Sequence, residues 1–142
     1  MPERRRLPNR RPNMTVRIAD SVTGHWHLTV GFDPEGEVRE IFLDRAGRAG
    51  SEFDALVHDA CILISREILQ RGRKPIELLR SMSERPPSLL SGSLSLAIEL
   101  QKKHGAEIAA RYVAQLEEEI LGHSETTHRS AARPAPADQA AD

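Results

Sequence analysis

Residues 25–44 read HWHLTVGFDPEGEVREIFLD, and how this stretch folds decides how the rest of the chain is arranged. Trp26, Leu28, Val30 and Phe32 alternate with His27, Thr29 and Gly31, the period of two that a strand shows when one face is buried. Asp33, Pro34 and Gly36 then supply turn chemistry, and VREIFLD at 38–44 returns as a second run. The pair reads as an antiparallel hairpin. Upstream, MTVRIA at 14–19 sets Val16 and Ile18 against Thr15 and Arg17, which adds a further strand.

A sheet with one apolar face needs a cover, and residues 51–70 provide a helix for it. Phe53, Leu56, Val57, Ala60, Cys61, Ile64 and Ile68 recur at steps of three and four and predict one continuous apolar stripe. Ser51 and Asp54 have capping-box spacing, and Gly72 supplies the stop. Glu52 and Asp54 near the start, with Arg66 and Arg71 near the end, suit the helix dipole. A short helix follows from Pro75 to about Ser83, carrying Ile76, Leu79 and Met82 on its apolar side. Two more helices are expected near 88–103 and 106–121, with KKHGAE between them. Beyond Gly122 the chain turns to Ala, Pro, Ser, Thr and charge, so 122–142 is expected to be a disordered tail. The fold class is α+β, a three-stranded antiparallel meander packed on a long helix and followed by additional helices. Its parts are a basic arm at 1–13, a β-β-β-α-α domain at 14–83, a helical extension at 84–121 and the tail.

With 142 residues the chain has room for one modest core, not for separate cofactor and substrate lobes. Its 20 Lys and Arg against 21 Asp and Glu make no global basic field, so attraction to polyanions would have to be local. Such a patch stands at the N-terminus, where MPERRRLPNRRP holds Arg4, Arg5, Arg6, Arg10 and Arg11. The segment has no apolar core of a signal peptide and contributes almost no apolar surface, so the fold is expected to survive without it. No apolar run approaches the roughly 20 residues of a membrane span, which points to a cytoplasmic protein. Cys61 is the single cysteine and lies on the helix stripe, where a thiol without a base is an inert small hydrophobe. His25 with His27 and His58 with Cys61 have pair spacings but lack further ligands, so no metal site is assigned. Glu117, Glu118 and Glu119 read as a solvated helix face.

Between the third strand and the long helix runs RAGRAGS at 45–51, which admits two readings. Free N–H groups at a helix start attract anions, and Arg45 and Arg48 beside Gly47, Gly50 and Ser51 could hold a phosphate or nucleotide there. The spacing is neither a Walker loop nor a dinucleotide fingerprint, and Glu52 and Asp54 place negative charge in the same turn. The other reading is a tight structural link that uses the glycines for unusual backbone angles.

WHLTVGFDPEGEVREIFLDRAGRAGSEFDALVHDACILISREILQRG followed by PIELLRSM resembles the TSCPD domain, which closes adenosylcobalamin-dependent ribonucleotide reductases and also occurs free-standing. Val30, Phe32, Asp33, Gly36, Glu40, Phe42, Gly47, Gly50, Ile64, Ser65 and Gly72 occupy the places of that family's spaced pattern, over roughly residues 14–83. The stretch for which the domain is named is replaced by SMSERPPSLLSGSLSLAIEL, which has no cysteine. The resemblance implies an accessory or regulatory protein of deoxyribonucleotide synthesis that binds a reductase subunit or a nucleotide. Adenosylcobalamin enters only by association with the reductase, and no cofactor of this chain's own is implied. One cysteine falls short of the thiol set that such a reductase uses, so the chain is not expected to be catalytic alone.

Two other function classes fit the residues. A nucleic-acid module would use the Arg arm on phosphates, yet one Trp, one Tyr and three Phe leave few rings for stacking on bases. A helical interaction protein would dock a partner or a second copy on the helices after Pro87.

Overall fold

The structure, a computed structural model, describes residues 3, 4, 7, 11–47, 50–83 and 86–132, with side chains as far as 122. It falls into two compact units, Met1–Ala109 and Ala110–Asp142.

In the first unit β1 (Asn13–Asp20), β2 (Gly24–Phe32) and β3 (Val38–Arg45) form the predicted antiparallel meander in the order β1-β2-β3. Register brings apolar residues into rows across the sheet, Met14–Val30–Ile41 and Val16–Leu28–Leu43. Trp26, Leu28, Val30 and Phe32 are fully buried, as their alternation requires. At the first turn the Asp20 carboxylate accepts hydrogen bonds from the Val22 and Thr23 N–H groups and the Thr23 hydroxyl. That hydroxyl in turn accepts from Trp26 Nε1 at 2.9 Å, so the buried indole keeps a partner.

The second turn is built around Asp33, which is buried. Its Oδ1 accepts from the N–H groups of Glu35 and Glu37 at 2.9 and 3.0 Å, and its Oδ2 accepts from Arg39 Nε at 2.9 Å. Arg39 also donates to the Leu69 carbonyl at 3.1 Å and so ties the turn to the end of the long helix. The register shifts between Gly31 and Phe32, where Glu40 pairs with Gly31 but Val38 with Phe32. Arg39 is the extra residue of a bulge, which resets the alternation and sends Val38 into the core.

The long helix starts at the predicted cap. Its α1 segment (Glu52–Leu63) carries the Ser51–Asp54 capping box, continues as a π-helical turn (Ile64–Ile68) and a 3₁₀ turn (Leu69–Arg71), and stops at Gly72 with φ +94°. The expected continuous stripe is divided. Val57, Cys61 and Ile64 are buried, whereas Phe53 and Leu56 remain 43% and 62% exposed. Phe53 lies edge-on to Trp26 with its ring centroid 6.1 Å away, and α3 contributes Leu94, Ala97 and Leu100 to the same core. Ser65, at the π turn, has its hydroxyl against the free edge of β3, where it accepts from the Ile41 N–H at 2.9 Å and donates to the Ile41 carbonyl at 3.1 Å. A side chain thereby does for β3 what a fourth strand would do.

After α2 (Pro75–Leu79), the chain enters α3 (Leu89–Ala132), one helix in place of the two expected. Ser88 and Ser91 cap its start by mutual side chain to N–H bonds of 2.8 and 3.0 Å. Gly105, read as a break, instead allows close approach. A Cβ there would lie 2.9 Å from the Gly36 carbonyl oxygen, and a Cβ on Gly36 would collide with the Gly105 carbonyl. Beside this contact Gln101 Oε1 accepts from the Val38 N–H at 2.9 Å.

In the second unit α3 carries Val113, Leu116, Ile120 and Leu121, all exposed. The tail expected from 122 is corrected in part, because the helix backbone continues to Ala132. One glycine inside a helix costs only about 1 kcal/mol, which Gly122 does not turn into a stop. Residues 133–142 of that tail lie outside the described residues.

The expectation that the arm is dispensable also needs revision. Arg11 makes a two-armed ion pair with Glu40, through Nε to Oε1 and through Nη2 to Oε2 at 3.1 Å, and Glu40 is 5% exposed. The Pro12 carbonyl accepts from the Phe32 N–H at 2.9 Å, and Arg4 Nε donates to Gln70 Oε1 at 2.7 Å. The arm has few apolar residues, Leu7 among them, but it carries the counter-charge that a buried carboxylate needs.

Candidate functional site

In the RAGRAGS link the structure brings Arg45, Gly50 and Ser51 together around Asp54. Arg45 Nε donates to Asp54 Oδ1 at 2.7 Å, and the N–H groups of Gly50 and Ser51 point at Oδ2 at 3.2 and 3.4 Å. Asp54 N–H completes the ring by donating to Ser51 Oγ at 3.1 Å. Burial works against the Asp54 charge, but the hydrogen bonds from Arg45 and Ser51 and the charge of Arg45 outweigh it and hold the pKa below the ordinary carboxylate range. Arg45 also donates to the Thr23 carbonyl and lies 4.3 Å over the Trp26 ring. Among the described residues the donors that a phosphate would use, the Arg45 guanidinium and the Gly50 and Ser51 N–H groups, are thus turned on the protein's own carboxylate. Gly47 and Gly50 take φ of +103° and +119°, with open space where a Cβ would stand, so their freedom serves the path of the chain. Arg48 lies outside the described residues.

A second concavity was not legible as a site in the sequence. Between Arg4, Leu7 and Arg11 of the arm, β3 and the π-helical turn lies a cleft of about 280 Å³. Arg4, Arg11 and Arg66 bring guanidinium groups to it, Glu40 and Gln70 bring a carboxylate and an amide, and Leu7, Phe42 and Ile62 supply apolar wall. The Glu40 side chain occupies space that any residue but glycine at 31 would fill, since a Cβ there would collide with its Cγ. Gly31 and Glu40 face each other in the sheet register. A glycine directly across from a charged strand residue was the available signal, and it becomes readable only once the bulge fixes the register.

Cys61 is buried, and burial pushes its thiol up to about 11, with Asp44 adding to the rise and the Leu43 backbone opposing it. At neutral pH it is therefore a thiol, a poor nucleophile. His25 and His27 are exposed on the uncovered face of β2, and His58 is exposed on α1. Among the described residues no cluster of three His, Cys, Asp or Glu is placed to hold a metal ion. Among them, too, no helix is long and apolar enough to cross a membrane.

Comparison with known protein families, curated proteins and solved structures gives no match to this chain.

Proposed function

We propose that the protein is an accessory or regulatory partner in deoxyribonucleotide synthesis, acting on a ribonucleotide reductase of the adenosylcobalamin-dependent kind and not carrying the chemistry itself. The observation behind this reading is that residues of the TSCPD-like pattern coincide with those that lock the hairpin to the helix. Asp33 organises the turn, Gly36 meets α3, Ser65 closes the edge of β3, and Gly72 ends the helix at a left-handed φ. A spaced sequence pattern whose members hold one fold together supports a shared architecture. An accessory role also suits the chemistry of Cys61, because a buried thiol with a pKa near 11 is poorly fitted to carry a radical or exchange disulfides. The exposed row Val113, Leu116, Ile120 and Leu121 supplies apolar surface for a partner subunit.

The test is to add the purified chain to an adenosylcobalamin-dependent reductase from the same host. Expected are co-elution on size exclusion and a change of two-fold or more in turnover or in its response to deoxynucleoside triphosphates. Separate elution with unchanged turnover would overturn the proposal.

A further inference from the structure

The cleft beside the arm has a chemistry of its own, independent of any association with a reductase. Glu40 is the carboxylate among its lining side chains, and Arg11 already neutralises it through both guanidinium contacts. Arg4 and Arg66 therefore add positive charge that no carboxylate in the cleft balances. Arg4 spends its Nε on Gln70, and its remaining N–H groups make no bond to another described residue. Arg66 is exposed and makes no ion pair among the described residues. Two guanidiniums with donors to spare at one concavity suit an anion with several acceptor oxygens, and a phosphate monoester offers three and nearly two negative charges at neutral pH.

The volume and the walls define what the phosphate is attached to. About 280 Å³ is close to the lower end of small-molecule pockets, roughly 300 Å³, and is more than a bare inorganic ion needs. Phe42, half-buried, stands with Leu7 and Ile62 on the apolar side of the cleft and offers a ring a surface to lie on. The backbone here is also unusual. A π-helical turn spans Ile64–Ile68, and from it Ser65 reaches the edge of β3 while the adjacent Arg66 lines the cleft. Such turns are rare and recur at functional sites.

We propose that the cleft between the arm, β3 and the π-helical turn binds a nucleoside monophosphate, with Arg4 and Arg66 on the phosphate and Phe42, Leu7 and Ile62 against the ring. Arg4 and Leu7 are then part of the binding site, and Arg11, ion-paired with Glu40, acts as a positioning residue beside them.

Isothermal titration of the full chain with adenosine monophosphate, adenosine and inorganic phosphate tests this. Wild type is expected to bind one adenosine monophosphate saturably, with adenosine and inorganic phosphate each at least ten-fold weaker. Arg4→Ala combined with Arg66→Ala should weaken adenosine monophosphate at least ten-fold, while Lys102→Ala combined with Lys103→Ala, an equal loss of charge on α3, leaves it unchanged. Both arginines are exposed, so circular dichroism should report an intact fold. Should the double variant fail to fold, Arg66→Gln alone is expected to weaken binding at least three-fold. Absence of saturable binding by wild type, equal binding by wild type and the folded arginine variants, or inorganic phosphate binding as tightly as the nucleotide would each overturn the proposal.

Discussion

Gly36 and Gly105 form the closest backbone approach described above, and each needs to be glycine for a different reason. Gly36 has φ +81° and faces a carbonyl that cannot move without moving a helix, while Gly105 is helical and meets the Gly36 carbonyl at 2.9 Å from its ideal Cβ position. Gly36→Ala combines a left-handed strain of about 1 kcal/mol with overpacking of about 1–3 kcal/mol, so a loss of about 2–4 kcal/mol is expected. Gly105→Ala gains about 1 kcal/mol of helix propensity against a milder clash, 2.9 Å where a Cβ on Gly36 would come far closer to the Gly105 carbonyl oxygen, and its net effect should be far smaller. Urea unfolding midpoints of the two variants decide this, and equal losses would remove the argument from φ. Half of this was legible in the sequence: DPEGE announced a turn that needs Gly36, whereas Gly105 carries the same letter as a helix stop and reveals its contact only in three dimensions. The RAGRAGS link shows the same limit. Its residue types allowed both an anion site and a strut, and Asp54, seen beforehand as a competitor for phosphate, is the group on which the donors close.

Among the elements, the three strands and the start of α1 were legible because alternation, turn chemistry and a capping box agreed with one another. What sequence periodicity could not supply was the state of the edge of β3. Ser65 sits at a helical position that a polar residue would normally give to water, yet it is 1% exposed and bonded to both backbone groups of Ile41. Ser65→Ala should leave the Ile41 N–H buried and unpartnered at a cost of about 1–3 kcal/mol, whereas Ser65→Thr, which keeps the hydroxyl, loses less unless its extra methyl is crowded. Thermal unfolding of the two variants measures the difference. A Ser65→Ala protein as stable as wild type would mean that water reaches Ile41. The division of the α1 stripe was likewise hidden, because an amphipathic helix does not state how wide a surface it will meet.

For the whole molecule the N-terminal arm changes meaning. By composition it is a solvated run of arginine, and the position of Glu40 under Arg11, with the bonds of Pro12 to Phe32 and of Arg4 to Gln70, makes it part of the fold. Deleting residues 1–12, or the single change Arg11→Ala, should destabilise the protein by about 2 kcal/mol or more, because a carboxylate that is 5% exposed loses its counter-charge. Replacing Glu40 by Gln together with Arg11→Ala should recover part of that loss. Chemical denaturation of the three proteins measures it, and a truncated protein with an unchanged midpoint would return the arm to a tail. The meander also has a consequence in time. Its strands pair only with neighbours in the chain, so the loops closed in making the sheet are short and the hairpins can form early. The bond from Val38 to Gln101 spans 63 residues, and the Gly36–Gly105 contact beside it a similar distance. Refolding would therefore set the sheet first and seat α3 on the turn late, so that substitutions at this contact accelerate unfolding while leaving the refolding rate nearly as it was.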